Sequence, residues 1–266
     1  VAGDYMWTGI DYLGEANWPQ RSAGCGCLDT CGFEKDAFYF YRSVWNQKEK
    51  FAYLCPHWNL KLEKGTVLPV ICYTNCEDAE LFVNGRSFGM KSKGFPCYGM
   101  TERYGHFDRY RRPANTDDLF LSWDVPYEPG KIEVVGYHDG KEVCRYNVET
   151  TGEAAAIKLT VDKTSVDADG RSVVQAEVCI VDSEGRLVLD ACPELDFTLE
   201  GDAEIIGIDN GDPACHEQWK ETKGRHAFNG MAYAVIRAGQ SKGELKLTVT
   251  SSDNTLTNAS VTIQAK

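Results

Sequence analysis

The sequence predicts a mainly β fold, two small β-sandwiches behind a short strand–helix segment. Three observations carry the prediction. Apolar residues alternate with polar ones in runs from Val67 to Glu149, with turn signals between them. A second array of such runs extends from Ile157 to Ile263. A single stretch, Ala37 to Trp45, repeats its apolar residues at helical spacing instead. The 266 residues suggest roughly two domains by length.

Taken in order, Val1 to about Ile10 reads as one buried strand, followed by a loop through Asp29. A helix is predicted from Phe33. Ala37, Phe38, Tyr41, Val44 and Trp45 lie on one face at i, i+1, i+4, i+7 and i+8, and Glu34 and Asp36 fall in a first turn where the helix dipole favours acids. One strand and one helix cannot close a β/α barrel, which takes eight of each and about 250 residues. The segment therefore needs a neighbouring domain to cover its apolar face, or leaves that face partly exposed.

After a hinge near Gln47 to Leu54 the period changes to two. Val67 to Tyr73 is a strand. Ala79 to Val83 and Arg86 to Met90 form a hairpin around Asn84-Gly85, a pair that tolerates the positive φ angles of a type I′ turn. Leu119 to Val125 and Lys131 to Tyr137 follow, and Asp139-Gly140 turns into Glu142 to Glu149. Strands at this spacing predict an immunoglobulin-like sandwich. Thr151-Gly152-Glu153 marks the next boundary. Ile157–Val161, Ser172–Val181, Leu195–Leu199, Ala203–Ile208, Met231–Arg237, Glu244–Thr250 and Ala259–Ile263 then predict a second one. The domain limits expected are 1–50, 51–152 and 153–266.

Composition excludes several function classes. Net charge is −12, and from Glu153 onward 19 acidic residues face 11 basic ones, net −8. Nucleic-acid binding needs a basic face, so it is not expected. No window approaches the ~18 uncharged apolar residues of a membrane span. The chain lacks an initiator Met and starts inside a strand-like pattern, and so reads as a piece of a longer protein. The eleven Cys form no tidy pattern. Cys25, Cys27 and Cys31 cluster, with Cys55 and His57 further on, but without the paired spacings of a zinc site, so buried metal-free thiols are the leading reading. Cys72, Cys144 and Cys179 fall inside strand patterns as small hydrophobes. No cofactor and no metal are expected. Asp209-Asn210-Gly211-Asp212 has oxygen ligands but not the spacing of a calcium loop, so a tight turn is expected there, with Cys215-His216 incidental. Gly94 to Thr116, rich in Arg and aromatic residues, reads as a loop folded on its own aromatics or one reaching a neighbouring domain or a substrate entrance.

The candidate functional stretch is the opening one, VAGDYMWTGIDYLGEANW. Aromatic faces cover the C–H side of a sugar ring, and carboxylates accept from its hydroxyls. The residues alone leave two readings open, this one and a buried strand running into a polar loop. The run G-D-Y-M-W-T-G-I-D-Y-L-G-E, then C-G-F-E-K-D-A-F-Y-F-Y-R-S-V-W, resembles the end of the catalytic barrel in glycoside hydrolase family 2, β-galactosidase type: its eighth strand, the following loop and the last helix. P-H-W-N with Y-T-N-C-E-D-A-E-L-F-V-N-G-R-S-F-G resembles the sandwich module that commonly follows. I-K-L-T-V-D-K, V-D-A-D-G-R-S-V-V-Q-A-E-V, I-D-N-G-D-P and H-A-F-N-G-M-A resemble the C-terminal module, which is also similar to invasin-type adhesion domains.

The resemblance implies a parent that is a retaining β-galactosidase-like enzyme acting on a β-galactoside or related oligosaccharide. Such enzymes use two carboxylates about 5–5.5 Å apart. In the family both lie on earlier barrel strands, so this chain is expected to hold no catalytic residue and to be inactive alone. Trp7 matches the aromatic platform under the sugar, Asp11 and Glu15 the polar rim, and Trp18 the position beyond the bond broken. The usual G-E-P-T-P-W reads G-E-A-N-W-P here, a departure that bears on Trp18. The partners implied are the rest of the barrel and a homo-oligomer, and the expected location is periplasmic or secreted, in a bacterium. The competing expectation is a non-catalytic carbohydrate-binding or surface-adhesion module. For the last sandwich itself the expected role is a spacer.

Overall fold

The computed structural model describes residues 5–93 and 119–266. The Arg- and aromatic-rich stretch expected to be a loop, 94–116, lies outside the described residues. The chain forms two compact units, residues 1–35 with 151–266, and residues 36–150. The protein is mainly β, as expected, with one α-helix and several antiparallel sheets among the described residues.

In the opening segment the expected buried strand is not formed over its described part. Tyr5 and Trp7 are exposed, and Ile10 makes only an isolated bridge to Leu28. A strand takes its hydrogen bonds from flanking strands, and here only Cys27 and Leu28 run alongside, donating to the Thr8 and Gly9 carbonyls. What forms instead is a short ribbon of β1 (Tyr12–Leu13) and β2 (Ser22–Ala23).

The 36–150 unit begins with α1 (Asp36–Trp45). Its predicted apolar face stays partly exposed, one of the two outcomes expected for it. The helix packs through Tyr39, stacked at 3.7 Å on Tyr53, through Phe40 against Tyr73, and through buried Ser43. Ala37, Val44 and Trp45 stay exposed within the unit. Asp36, in the first turn, accepts from the Tyr53 hydroxyl at 2.7 Å. The expected hinge at 47–54 is instead held down. The side-chain amide of Asn75 donates to the carbonyls of Asn46 and Glu49 and accepts from Phe51 N–H, and β3 (Ala52–Cys55) starts directly after.

Then follow β4 (Val67–Thr74), β5 (Asp78–Val83), β6 (Arg86–Ser92), β7 (Leu121–Pro126), β8 (Lys131–His138) and β9 (Lys141–Glu149). They make two sheets, ordered β3-β4-β7 and β6-β5-β8-β9, whose inward residues close on Trp58, Val70, Leu81, Trp123 and Val134. Trp58 is fully buried, and its indole N–H is satisfied by the Glu128 carbonyl. Both predicted hairpin turns have positive φ at each central residue, 49° and 79° at Asn84-Gly85, 49° and 71° at Asp139-Gly140. Gly136 has a packing reason of its own. A Cβ there would sit 2.6 Å from Cys144 Sγ and 2.7 Å from Cys76 Sγ, two thiols that themselves lie 3.5 Å apart. Free thiols are what the structure shows for the described cysteines.

The sandwich of the other unit comprises β10 (Ala156–Val161), β11 (Ser165–Val166), β12 (Val173–Val181), β13 (Glu194–Glu200), β14 (Ala203–Asp209), β15 (Arg225–His226), β16 (Met231–Ala238), β17 (Gly243–Ser251) and β18 (Ala259–Ala265). Seven of these were expected within a few residues; β11 and β15, two residues each, are too short to show a period. The sheets are ordered β10-β12-β16-β14 and β11-β18-β17-β13-β15. Their inner faces bury Val174, Ala176, Val178, Ile180, Ala232, Ala234 and Ile236 against Leu195, Leu245, Leu247, Val249 and Ile263.

Asp182 ties the start of this sandwich to its body. It is buried and accepts from the backbone N–H of Gly152, Glu184 and Arg186 and from the Arg186 guanidinium. Burial pushes its pKa up, but these donors outweigh it and hold the carboxyl well below the usual range. A folded-state value below the unfolded one means stability that is complete above about pH 4 and lost as pH falls further. Thermal melting of Asp182→Asn and wild type from pH 7 to pH 2.5 should show the variant less stable at neutral pH and the gap closing below about pH 4.

Candidate functional site

The four residues singled out from the sequence sit in one short segment and fall into different surroundings. Trp7 is 71% exposed. Its indole N–H donates to the Tyr12 hydroxyl at 3.0 Å, and the rings meet edge to face with centroids 6.1 Å apart. The Tyr12 hydroxyl in turn donates to Glu15 Oε2. That bond raises the Tyr12 pKa, so the phenol keeps its proton and remains the donor. Glu15 follows Gly14, both at positive φ (48° and 96°), and this turn brings its carboxylate back toward Tyr12. Trp7, Tyr12 and Glu15 therefore form one hydrogen-bonded row on the surface. Tyr12 was not singled out from the sequence; its spacing, i+5 from Trp7 and i−3 from Glu15, matches neither the period of a strand nor that of a helix.

Asp11 lies elsewhere. It is buried, with Lys35 Nζ at 2.8 and 2.9 Å from its two oxygens and Gly26 N–H at 2.6 Å from Oδ1. A Cβ on Gly26 would run into the Asp11 backbone nitrogen and carboxylate, so only glycine admits this approach. Lys35 also donates to the Gly24 carbonyl. The structure thus brings together Asp11, Gly26 and Lys35 as a knot that fixes the loop, apart from the Trp7–Tyr12–Glu15 row.

Asp29 makes a second knot. Its Oδ1 accepts from Cys31 and Phe33 N–H at 2.8 and 2.9 Å. Burial pushes its pKa up against the pull of those donors. Nearby Cys31 is pushed up too, mainly by burial and then by Asp209 and Asp29, which makes it a poor thiolate. Cys27 is also raised by burial. These thiols behave as packing groups.

Trp18 is 83% exposed and leans on a residue from the other end of the chain, His216, with centroids 4.9 Å apart and planes at 30°. The segment is bound to the last sandwich at several points. Arg21 pairs with Asp209 at 2.9 Å, its backbone N–H reaches the Pro213 carbonyl at 2.8 Å, and Thr30 donates to Asp209. Phe33 meets Tyr233 edge to face. Asp209 ends β14, and the tight turn expected over Asp209–Asp212 begins at Asp212, whose carbonyl accepts from Cys215 N–H at 3.1 Å. Asn210 Oδ1 accepts from Asp212 N–H, Asp212 Oδ1 from Ala214 N–H, and the Asn210 amide donates to the His226 carbonyl. The Asp209 carboxylate is spent on Arg21, Thr30 and its neighbour's N–H.

Chemically, the surface row offers an indole face, a phenol and a carboxylate acceptor side by side, the set that holds a neutral polyhydroxylated ring. Among the described residues, Glu77, His138 and Asp139 could bring three ligand atoms together for a metal ion, but all are solvent-accessible and belong to the other unit.

Comparison with known proteins adds an independent line. Residues 157–262 match the glycoside hydrolase family 2 C-terminal domain 5, and residues 65–144 match a domain of unknown function, DUF4982. The chain is 37% identical over 255 residues to the β-galactosidase BoGH2A of Bacteroides ovatus, across 94% of the chain and 27% of that protein. It is 32% identical over 247 residues to a putative β-glucuronidase of Formosa agariphila, across 89% of the chain and 22% of that protein. Among solved structures, a β-glycosidase from Bacteroides vulgatus superposes with a TM-score of 0.82 at 32% identity, over 97% of the chain and 30% of its own. A glycosyl hydrolase family 2 member from Bacteroides cellulosilyticus superposes with 0.86 at 28% identity, over the whole chain and 36% of its own. The chain spans about a quarter of the length of these curated relatives. It belongs to glycoside hydrolase family 2, to whose C-terminal modules it corresponds.

Proposed function

We propose that the chain is the C-terminal part of a retaining glycoside hydrolase acting on β-galactosides, and that its opening segment forms one wall of the sugar pocket. Trp7 is the platform under the ring, Glu15 the rim acceptor held in place by Tyr12, and Trp18 a surface beyond the bond broken. Asp11 serves as a positioning residue, because its oxygens are engaged by Lys35 and Gly26. The exposed stripe of α1, Ala37, Val44 and Trp45, is where the rest of the barrel would pack. Both catalytic carboxylates come from outside this chain in this reading, so the chain alone turns nothing over. The parent is placed in the periplasm or outside a bacterial cell.

The observation that carries the reading is the Trp7–Tyr12–Glu15 row, exposed and tied together, in a chain 37% identical to a β-galactosidase over 94% of its length. Relatives named as β-glucuronidases make the sugar a real question. Charge favours the galactoside. A glucuronide carries a carboxylate that a pocket must meet with a cation. The two cations of the described opening segment, Arg21 and Lys35, are each already paired with an aspartate.

Nitrophenyl β-galactoside and nitrophenyl β-glucuronide, offered in turn to the full-length polypeptide and to this chain, test it. Galactoside turnover by the full-length polypeptide, at least tenfold above glucuronide turnover, with none by the chain alone, is expected. Preference for the glucuronide, or turnover by the chain alone, overturns it.

A further inference from the structure

The connection between β14 and β15, residues 210–224, is long for a sandwich loop, and it is built rather than slack. Arg225, 1% exposed, anchors it from below. Its guanidinium donates to the Gln218 carbonyl at 2.6 Å and to Cys215 Sγ at 3.3 Å, and faces Glu217 Oε2 at 3.4 Å. Glu217 also takes the His226 ring nitrogen at 2.6 Å and the His226 backbone N–H at 3.2 Å. Burial pushes the Glu217 pKa up, but His226 and Arg225 outweigh it and keep the carboxylate ionised. From above, Ile208 N–H reaches the Trp219 carbonyl at 2.7 Å.

Thus braced, the loop meets the opening segment. His216 Nε2 lies 2.7 Å from the Pro19 carbonyl, so the Nε2–H tautomer is fixed, with Trp18 over the ring. The Arg21 guanidinium lies 5.2 Å over the Trp219 ring, and Trp219 is still 43% exposed. A cleft runs along this line, bordered by Leu13, Arg21, His216, Glu217, Gln218 and Trp219. Its charges are already compensated: Arg21 by Asp209, Glu217 by Arg225 and His226. What remains on offer is the Trp219 indole, an imidazole and a side-chain amide, with the Trp18 indole stacked on His216 beside the cleft, which suits an uncharged ligand with C–H faces and hydroxyls.

We propose that this cleft is a saccharide subsite, in which loop 210–224 of the last sandwich binds a neutral sugar unit of an extended oligosaccharide, next to the unit on Trp7. The last sandwich is then a contributor to substrate choice and not a spacer. The proposal deepens the pocket reading above and rests on it for the order of the sugar units, though not for binding itself.

Two measurements separate the two ideas. In the first, the full-length polypeptide carrying Trp219→Ala or His216→Ala is assayed with β-1,4-galactotriose and with nitrophenyl galactoside. The expected result is a KM increase about tenfold larger for the trisaccharide than for the nitrophenyl substrate, whereas Trp7→Ala impairs both. In the second, the present chain is titrated with galactotriose while the indole N–H resonances of Trp18 and Trp219 are followed, and both are expected to shift. If the indoles shift but Trp7→Ala leaves turnover intact, the subsite stands and the pocket reading falls. Equal effects on the two substrates, or no indole shift, overturn the subsite.

Discussion

Asp11→Ala is expected to release the opening segment from its fixed shape at a cost of about 2–3 kcal/mol. Breaking a buried ion pair from one side costs about 3–5 kcal/mol, since the remaining charge is left without its partner. Here Lys35 keeps 32% of its side chain in water, which lowers the figure. The loss is not only of charge. Gly26 N–H, 2.6 Å from Asp11 Oδ1, would be left without an acceptor in a spot where a Cβ does not fit. Asp11→Asn keeps an oxygen for Gly26 but loses the negative charge that pairs with Lys35, so it should fall between wild type and alanine. Hydrogen exchange at Gly26 and Cys27 reads the effect locally, and a melt of the chain reads it globally. Faster exchange in the order wild type, asparagine, alanine is the expected result; unchanged protection at Gly26 in the alanine variant would show that the knot does not hold the loop.

The two sandwiches were legible in the sequence because each rests on local rules. Strand alternation needs only neighbouring residues, and Asn84-Gly85 and Asp139-Gly140 announce turns whose positive φ few other pairs accept. The helix was legible in place, and its partly exposed apolar face was one of the outcomes expected, but the residues it turns onto the neighbouring strands were not legible. Phe38 to Tyr41 are four aromatics in a row, so an apolar stripe can be drawn on several faces. The partner surface, Tyr53 and Tyr73, decided that Tyr39 and Phe40 turn inward. The opening strand failed for a related reason: an apolar pattern earns a strand only when other strands supply its hydrogen bonds.

Of the candidate site, the residue types were visible but not their division of labour. Asp11 and Glu15 look alike in sequence, yet Lys35 claims the first and Tyr12 orients the second. The knot is set by Gly26, whose missing side chain carries no signal of its own in a sequence with 25 glycines. The contacts between the last sandwich and the opening segment were invisible for a plainer reason. His216 and Trp18 are 198 residues apart, and Arg21 and Asp209 are 188. No pattern along a single chain links positions so distant.

Trp7→Ala in the full-length polypeptide is expected to lower kcat/KM for a nitrophenyl galactoside about 100-fold, the largest single effect on turnover predicted for this chain. A hundredfold loss corresponds to about 2.7 kcal/mol. That is in the range for removing one large aromatic surface from a binding site. The indole does two things at once. Its exposed face is free for the sugar, and its N–H fixes Tyr12, which fixes Glu15. Three variants separate these roles. Trp7→Phe keeps a face but drops the N–H, so it should retain activity within about tenfold of wild type. Tyr12→Phe keeps the indole and removes the link to Glu15, and it should resemble Glu15→Gln. Because Trp7 is exposed, none of these substitutions opens a cavity, and the chain's melting temperature should move by no more than a few degrees. An intact melt with a hundredfold loss places the effect in the pocket. If Trp7→Ala stays within twofold of wild type, the indole is not the platform, and the exposed row at Tyr12 and Glu15 has lost the member that gives it a sugar-binding face.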